Sequence, residues 1–470
     1  MSRADRSAAM TAEIDRAARA HLLREDRQED LCFALWRQSL GRSRTTALIE
    51  RLIFPREGER NVHGNASFEP EYLIRALSEA AACGAGLALL HSHPLGRGWQ
   101  GMSADDVAAE QGNAGAVFGA TGFPLVGLTL AGDGTWSARF WERIAPRTYF
   151  RNRCATARVV GDQLSVSYLD KLVPPPHASE HQVRTVSAWG EESQAHLVRL
   201  RAGVIGAGSV GGMIAEALAR TGFEDVLLMD FDVVKKHNLD RLNYATRHDV
   251  GRKKVVALAE YLQRCATAEN FRVEALDAAV YEEEAYRAAL DCDLLFSCVD
   301  RPWGRYVLNL IAYSHLIPVI DGGISARTNR LGKIVAADWR AHVATIGRPC
   351  LQCLGQYDPG HVQLERDGLL DDPKYIEGLP ANHPLKAREN VFAFSMSCAS
   401  MQMLQMLAMV VAPLDRSNPG SQIYHFVGGF MEEPSFALCH PECLFPSLIA
   451  SGDSCGLVTT GLRPPNASFL

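Results

Sequence analysis

The chain reads as an α/β protein in two parts, a mixed α/β domain over residues 1–150 and a doubly wound, mostly parallel sheet with flanking helices over residues 185–470. Three observations predict this. Short apolar runs such as Ala202–Ile205, Val226–Met229 and Asp293–Cys298 are too short for helices and are separated by helical stretches, the alternation that builds a buried parallel sheet. In the first part, strand-like LCFALWRQSL and Leu87–Leu90 flank an amphipathic helical pattern over Tyr72–Cys83. Between the two parts, DKLVPPPHASEHQ carries three consecutive prolines, which stiffen a chain and break regular elements, so residues 151–184 read as a linker.

Taken in order, a helical pattern near Ala8–Leu23 precedes LCFALWRQSL, and Thr45–Phe54 continues the sheet. Leu87–Leu90 is a buried strand that runs into His91-Ser92-His93-Pro94. From Thr148 the clear period is lost, although alternation in GDQLSVSYLD suggests a strand pair within Arg158–Tyr168. The second part opens with strand Ala202–Ile205, a glycine turn and an alanine-rich helix over Met213–Thr221. Leu316–Asp321 is a further strand, and alternation through Ala337 continues the sheet beyond Gly322-Gly323. The methionine-rich stretch FSMSCASMQMLQMLAMVV reads as a buried helix.

Composition sets the class. A chain of 470 residues with 47% hydrophobic and 22% charged residues has ample core for two or three domains. A net charge of −6 provides no basic field for nucleic acid. No run approaches about 18 consecutive apolar residues and the N-terminus lacks an apolar export segment, so we expect a cytoplasmic protein that does not enter membranes. Its 12 cysteines are then expected to be reduced, with close pairs suggesting metal.

The chemistry of the second part begins at Gly206, Gly208 and Gly211, a G-x-G-x-x-G turn whose bare backbone lets N–H groups approach a phosphate at a helix N-terminus. Strand Val226–Met229 ends in Asp230-Phe231-Asp232, where a dinucleotide-binding unit places its ribose-binding acid. Asn238, Arg241 and Lys254 follow, polar and cationic groups that a nicotinamide enzyme does not need but a triphosphate does. Asp300 lies at the carboxyl end of Asp293–Cys298 and is placed to hold magnesium against phosphates. This series resembles the ThiF/MoeB and ubiquitin-activating-enzyme family over roughly residues 185–445, with matches to its glycine turn, D-x-D, N-L-x-R, phosphate lysine and magnesium aspartate. The resemblance implies a Rossmann-like enzyme that uses ATP and Mg2+ to adenylate the C-terminal carboxylate of a ubiquitin-like or sulfur-carrier protein.

In the first part, His91 and His93 are two apart on an extended segment, so their imidazoles share one side of a strand and can share a cation. Ser103 and Asp106 follow with S-x-x-D spacing, Ser103 being a natural helix N-cap. H-x-H-P followed by S-x-x-D resembles the JAMM (JAB/MPN) metalloproteases. That resemblance implies zinc held by His91, His93 and Asp106, oxyanion stabilisation by Ser103 and an upstream glutamate as general acid/base. Glu29, at the start of EDLCFALW, is the first choice for the glutamate and Glu25 the second. The loop LGRGWQGM is longer than the family's and lacks the proline that often precedes its serine.

Cys350 and Cys353 form C-x-x-C, and Cys439 and Cys443 form C-x-x-x-C, together a candidate tetrahedral thiolate site for structural zinc. Between them QYDPGHVQLERDGLLDDPKYIEGLPANHPLKARENV reads as a long loop without the cysteine that often accepts the carrier as a thioester in the resembled family. Cys398 is then either that nucleophile or a core residue, and Cys353 or Cys443 is the alternative if no zinc binds.

The two resemblances together imply a bifunctional enzyme that activates a ubiquitin-like protein and hydrolyses its precursor tails or isopeptide conjugates. They also imply a homodimer, with a conjugating enzyme as a further partner if transfer proceeds from the enzyme. Sulfur-carrier activation for thiocarboxylate formation, a carrier-binding scaffold with one inactive module, and a nicotinamide oxidoreductase are the competing readings.

Overall fold

The computed structural model describes residues 5–63, 65–176, 180–329, 331–372, 377–378, 390–412, 420–433, 438–457 and 459. It divides into one compact unit of Met1–Pro174, Ser314–Leu316 and Leu448–Leu457, and a second of Pro175–Tyr313, Ile317–Ser447 and Val458–Leu470.

The first unit is built from β1 (Asp5–Thr11), α1 (Ala12–Leu22), β2 (Leu31–Leu40), β3 (Arg44–Ile53), β4 (Arg60–His63), β5 (Asn65–Phe68), α2 (Pro70–Cys83), β6 (Gly86–His93), α3 (Ala104–Thr121), β7 (Leu125–Ala131), β8 (Trp136–Ala145), β9 (Thr148–Arg153), β10 (Thr156–Val160) and β11 (Leu164–Tyr168). Nine strands form one mixed sheet in the order β11-β10-β1-β3-β2-β6-β7-β8-β9, with β4 and β5 in a separate hairpin. Alternation along β2 divides the core. Cys32, Ala34 and Trp36 pack with Ala18 and Leu22 of α1 on one face, whereas Leu31, Phe33 and Leu35 pack with Tyr72 and Ala76 of α2 and Val117 of α3 on the other.

Two expectations change here. Ala8–Leu23 is not one helix: Asp5–Thr11 is a strand lying between parallel partners β3 and β10, and Thr11 then caps α1 by accepting from the Ile14 N–H at 3.2 Å. Alanine's helical preference yields because Ala8 and Ala9, both fully buried, fit the middle of a sheet where a larger side chain would not. The stretch read as linker from residue 151 instead supplies β9, β10 and β11, ending at Tyr168. Pro174–Pro176 lie beyond the last strand, and residues 177–179 of the expected linker fall outside the described residues.

The second unit comprises α4 (Val183–Val198), β12 (Arg201–Ile205), α5 (Ser209–Thr221), β13 (Asp225–Met229), α6 (Lys254–Cys265), β14 (Arg272–Leu276), α7 (Glu283–Ala289), β15 (Leu294–Ser297), α8 (Pro302–Ser314), β16 (Val319–Thr328), β17 (Ile334–Ala344), α9 (Pro359–Arg366), α10 (Phe392–Val411), β18 (Gln422–His425) and β19 (Phe430–Glu432). Its sheet runs β14-β13-β12-β15-β16-β17-β18-β19, parallel from β14 to β16 and antiparallel thereafter. Register aligns Met229, Ile205, Ser297 and Asp321 in one row at the carboxyl ends of the parallel strands. Loops that follow this row carry the predicted nucleotide residues.

Helix α10 has the length and composition of a membrane span, yet its buried glutamines tie it to the sheet. Gln402 donates to the Ile320 carbonyl at 2.9 Å and Gln405 to the Ala341 carbonyl at 3.1 Å. Of the long loop expected between the cysteine pairs, Pro359–Arg366 forms α9, and residues 373–376 and 379–389 fall outside the described residues.

Tyr72 links helix to sheet: its hydroxyl donates to the Ile53 carbonyl and accepts from the Phe33 N–H at 3.1 Å, fully buried. Tyr72→Phe leaves two buried backbone groups unpaired and is expected to cost about 1–3 kcal/mol. Thermal or urea unfolding measures it, and an unchanged midpoint would show that neither bond contributes to stability.

Candidate functional site

In the second unit the nucleotide candidates converge on the turn after β12. Gly206 has φ +101°, a left-handed conformation that disfavours side chains, and a Cβ on Gly211 would lie 1.8 Å from the Gly206 carbonyl oxygen. Nothing lies within 4 Å of where a Gly208 Cβ would project. The turn is therefore closed underneath and open above, a cradle able to take a ligand against bare backbone.

Asp230 stabilises that cradle. One carboxylate oxygen accepts from the Ala207 N–H and the other from the Asp232 N–H, each at 2.7 Å. Tyr244, which the sequence reading did not single out, donates to the Ala207 carbonyl at 2.6 Å, so the two successive peptides that meet at Ala207 are both held. Its signal was an aromatic with a polar tip soon after the N-L-x-R run. Asp230 thus shapes the turn, its carboxyl pushed up by burial.

Lys254 is buried at the start of α6 and its Nζ lies 2.7 Å from Asp232. Burial opposes its charge, but Asp230, Asp232 and Asp300 outweigh it and hold the ammonium's pKa above the ordinary value. Asp300 is exposed three residues beyond Ser297, the last of β15. Two candidates are engaged elsewhere. Asn238 accepts from the Lys235 N–H at 3.0 Å, and Arg241 donates within its own turn to the His237 carbonyl at 2.6 Å and to Asp240 at 2.9 Å.

In the first unit, β6 delivers His91 and His93 on one side with ring centroids 5.1 Å apart. Asp106 approaches them from α3, 3.7 Å from His91 Nε2 and 3.4 Å from His93 Nε2. Ligand atoms of the three residues all lie within 4.8 Å of one another. Burial, then the Arg139 charge, lowers the His91 pKa to about 4, so the imidazole is neutral and able to ligate. Burial alone would raise the Asp106 carboxyl, but His93 and Ser103 hydrogen bonds and the His91 field hold it well below the usual carboxylate range. Two imidazoles and a carboxylate anion are a donor set suited to zinc with an open fourth position.

Ser103 caps α3 as expected, accepting from the Asp106 N–H at 3.1 Å while its own N–H donates to Asp106 at 2.8 Å. The Ser103 side chain also supports the Asp106 carboxylate. Glu29 precedes β2 instead of beginning it, with Oε1 3.9 Å from His93 Nε2 and its carboxyl raised by burial, whereas Glu25 is exposed. Behind the ligands lies a buried chain absent from the sequence reading. Trp141 and Arg139 donate to Glu110, Arg139 also donates to Thr129 at 2.5 Å, and Thr129 lies 3.3 Å from His91 Nε2.

The four predicted cysteines also meet. Cys350, Cys353, Cys439 and Cys443 place their sulfurs within 4.8 Å of one another, with Cys350 and Cys443 3.6 Å apart. A tetrahedral zinc with bonds of about 2.3 Å requires sulfur separations of about 3.8 Å, so the cluster fits a structural zinc. Cys398 is different. It is fully buried in the cluster of Trp339, Phe394 and Met401, its sulfur 3.6 Å from the Arg340 carbonyl, and burial pushes its thiol up to about 12. A thiol so placed cannot meet a carrier terminus, which corrects the nucleophile reading in favour of core.

The ThiF family model matches residues 180–444, which leaves the sheet of the first unit outside it. The SAMP-activating enzyme E1 of Haloferax volcanii is 29% identical over 135 residues, 29% of this chain and 49% of that one. The molybdopterin-synthase adenylyltransferase of Escherichia coli is 26% identical over 153 residues, covering 33% and 57% of the two chains. The sulfur carrier protein ThiS adenylyltransferase of Bacillus subtilis is 27% identical over 165 residues, covering 35% and 46%. The chain thus spans about half the length of these curated relatives.

Two glycine substitutions separate scaffold from site. Gly211→Ala is expected to lower stability by about 1–3 kcal/mol or prevent folding, because its Cβ meets backbone. Gly208→Ala is expected to leave the unfolding midpoint within a few degrees while weakening ATP binding about tenfold or more. Calorimetric ATP titration of both variants checks this, and full affinity in Gly208→Ala would move the phosphates away from the turn.

Proposed function

The chain belongs to the ThiF family, and from that membership we propose that its second unit adenylates the C-terminal carboxylate of a ubiquitin-like or sulfur-carrier protein, using ATP and Mg2+. The observation that carries the reading is the grouping of Lys254 with Asp230, Asp232 and Asp300 beside the open face of Gly208. Carboxylate oxygen attacks the α-phosphorus, pyrophosphate leaves, and an acyl-adenylate forms. The turn's N–H groups and Lys254 bind and orient the triphosphate, Lys254 changing its partner from Asp232 to phosphate oxygens. Asp300, with Asp232, would hold the magnesium that neutralises those oxygens. Arg241 contributes when its bonds to His237 and Asp240 are exchanged for phosphate. The relatives named for sulfur-carrier and SAMP activation support the carrier class. With Cys398 in the core, the acyl group passes from the adenylate to an external thiol, amine or sulfur donor.

For the first unit we propose the hydrolytic half of the system, a JAMM-type zinc peptidase that trims carrier precursors or cleaves isopeptide conjugates. His91, His93 and Asp106 would hold the zinc, which supplies a polarised water of pKa about 7 when bound. Glu29 would take the proton of the attacking water and return it to the leaving amine, while the Ser103 O–H, turning from Asp106, would donate to the developing oxyanion. The geometry of Glu29 beside His93 supports this assignment.

Carrier-dependent exchange of labelled pyrophosphate into ATP tests the first proposal. Wild type is expected to exchange, and Lys254→Ala to lose about 100-fold or more; no exchange with an otherwise functional carrier would leave a binding scaffold. Intact-mass measurement of the product separates the two carrier classes, since a thiocarboxylate replaces one oxygen with sulfur whereas conjugation adds a protein. For the second proposal, Glu29→Gln is expected to retain zinc while hydrolysis of a carrier fusion falls about 100-fold or more, and an unchanged rate would return the acid/base role to another residue.

A further inference from the structure

Beyond the nucleotide turn, the carboxyl edge of the second sheet holds a charged group that neither ATP nor the zinc sites account for. Asp321, in the row with Ile205 and Ser297, has a side chain only 1% exposed. Its Oδ1 accepts from Ser297 Oγ at 2.6 Å and from Arg305 Nε at 3.0 Å, and Arg305 also donates to the Gly322 carbonyl at 3.0 Å. Arg340 arrives on the neighbouring strand, where β17 pairs it with Gly323. Its guanidinium lies over that glycine so closely that a Cβ there would sit 2.6 Å from Nη1.

Arg340 and Asp321 do not satisfy each other. Their nearest approach is 3.9 Å, longer than a hydrogen bond, and both Arg340 Nε and Asp321 Oδ2 lack hydrogen-bond partners. Two arginines thus face one carboxylate, and the Arg340 side chain remains 22% exposed, enough for a ligand to reach it. Burial, reinforced by the Arg305 charge, depresses the Arg340 pKa to about 10, the mark of a cation short of its anion.

We infer that Arg340 is the docking group for the C-terminal carboxylate of the protein that the second unit activates. The inference rests on the adenylation reading. A carboxylate about to attack phosphorus must be ionised, desolvated and held in a fixed orientation, and a guanidinium presents two parallel donors to it. Position favours this ligand over a nucleotide phosphate: Arg340 lies on β17, three strands from β12 and its glycine turn, whereas Lys254 already serves the turn. Gly322 and Gly323 give the strand no side chains of its own there, and the Gln402 amide and the Arg340 guanidinium lie over them, so the fork is seated against bare backbone.

The test uses the full chain with a non-hydrolysable ATP analogue and Mg2+, and a synthetic ten-residue peptide ending in Gly-Gly, as free acid and as C-terminal amide. Binding of the analogue is measured first; if it fails, the adenylation reading falls and the inference with it. If it holds, wild type is expected to prefer the acid over the amide about tenfold or more, since a hydrogen-bonded charge pair contributes about 1.5–3 kcal/mol. In Arg340→Gln the preference is expected to fall to about twofold or less with analogue affinity unchanged, and Arg340→Lys, which keeps the charge but not the fork, to retain an intermediate preference. Equal binding of acid and amide by wild type, no binding of either, or an undiminished preference in a folded Arg340→Gln protein overturns the inference and leaves nucleotide binding intact.

Discussion

The bond from the Ala207 N–H to half-buried Asp230 is the constraint on which the second unit's site depends. It joins the end of β13 to the turn after β12, and the Tyr244 hydroxyl fixes the next peptide through the Ala207 carbonyl. A phosphate-binding turn is effective only if its N–H groups are already aimed, since a flexible loop would lose part of the interaction to ordering. The carboxylate that aims them also sets the local charge: Asp230 and Asp232 help hold the Lys254 ammonium's pKa above its ordinary value although burial opposes the charge. Scaffold and electrostatics are therefore one arrangement.

A similar economy governs the first unit. β6 places His91 and His93 on one side while the intervening Ser92 points away, donating to the Leu22 carbonyl and accepting from the Asp30 N–H. That second contact secures the segment bearing Glu29 to the strand bearing the histidines. Period-two geometry thus does two tasks at once, one side collecting ligands and the other fixing their neighbour. Asp106 is delivered from α3, whose first turn is closed reciprocally with Ser103, so the helix start is set by a residue of the candidate metal group.

The sites were legible where chemistry is written at short spacing. G-x-G-x-x-G, D-x-D, H-x-H and the paired cysteines each carry their geometry in local backbone, and the structure brings each group together. Strands β2, β3, β12, β13 and β15 were legible because a short apolar run bounded by breakers has few alternatives. The helix expected from Ala8 was started too early, at residues that belong to β1, because alanine reports only intrinsic preference and the partners β3 and β10 that override it come from distant sequence. β9 was hidden, and the strand pair seen within Arg158–Tyr168 was left in the linker, because proline further along drew that linker backward over strands with polar exposed faces.

By itself the sequence determined the α/β class, the two-part order, the nucleotide turn and both candidate metal groups, because each depends on residues close enough along the chain to impose one local conformation. Only tertiary structure decided the rest. It placed Cys398 in the core, supplied Tyr244 and the Glu110–Arg139–Thr129 chain, and set Arg340 over Gly323 near Asp321. These outcomes follow from strand register and helix packing, which join positions far apart in the chain, and whether a polar side chain is satisfied, strained or waiting for a ligand depends on those neighbours and not on its own identity.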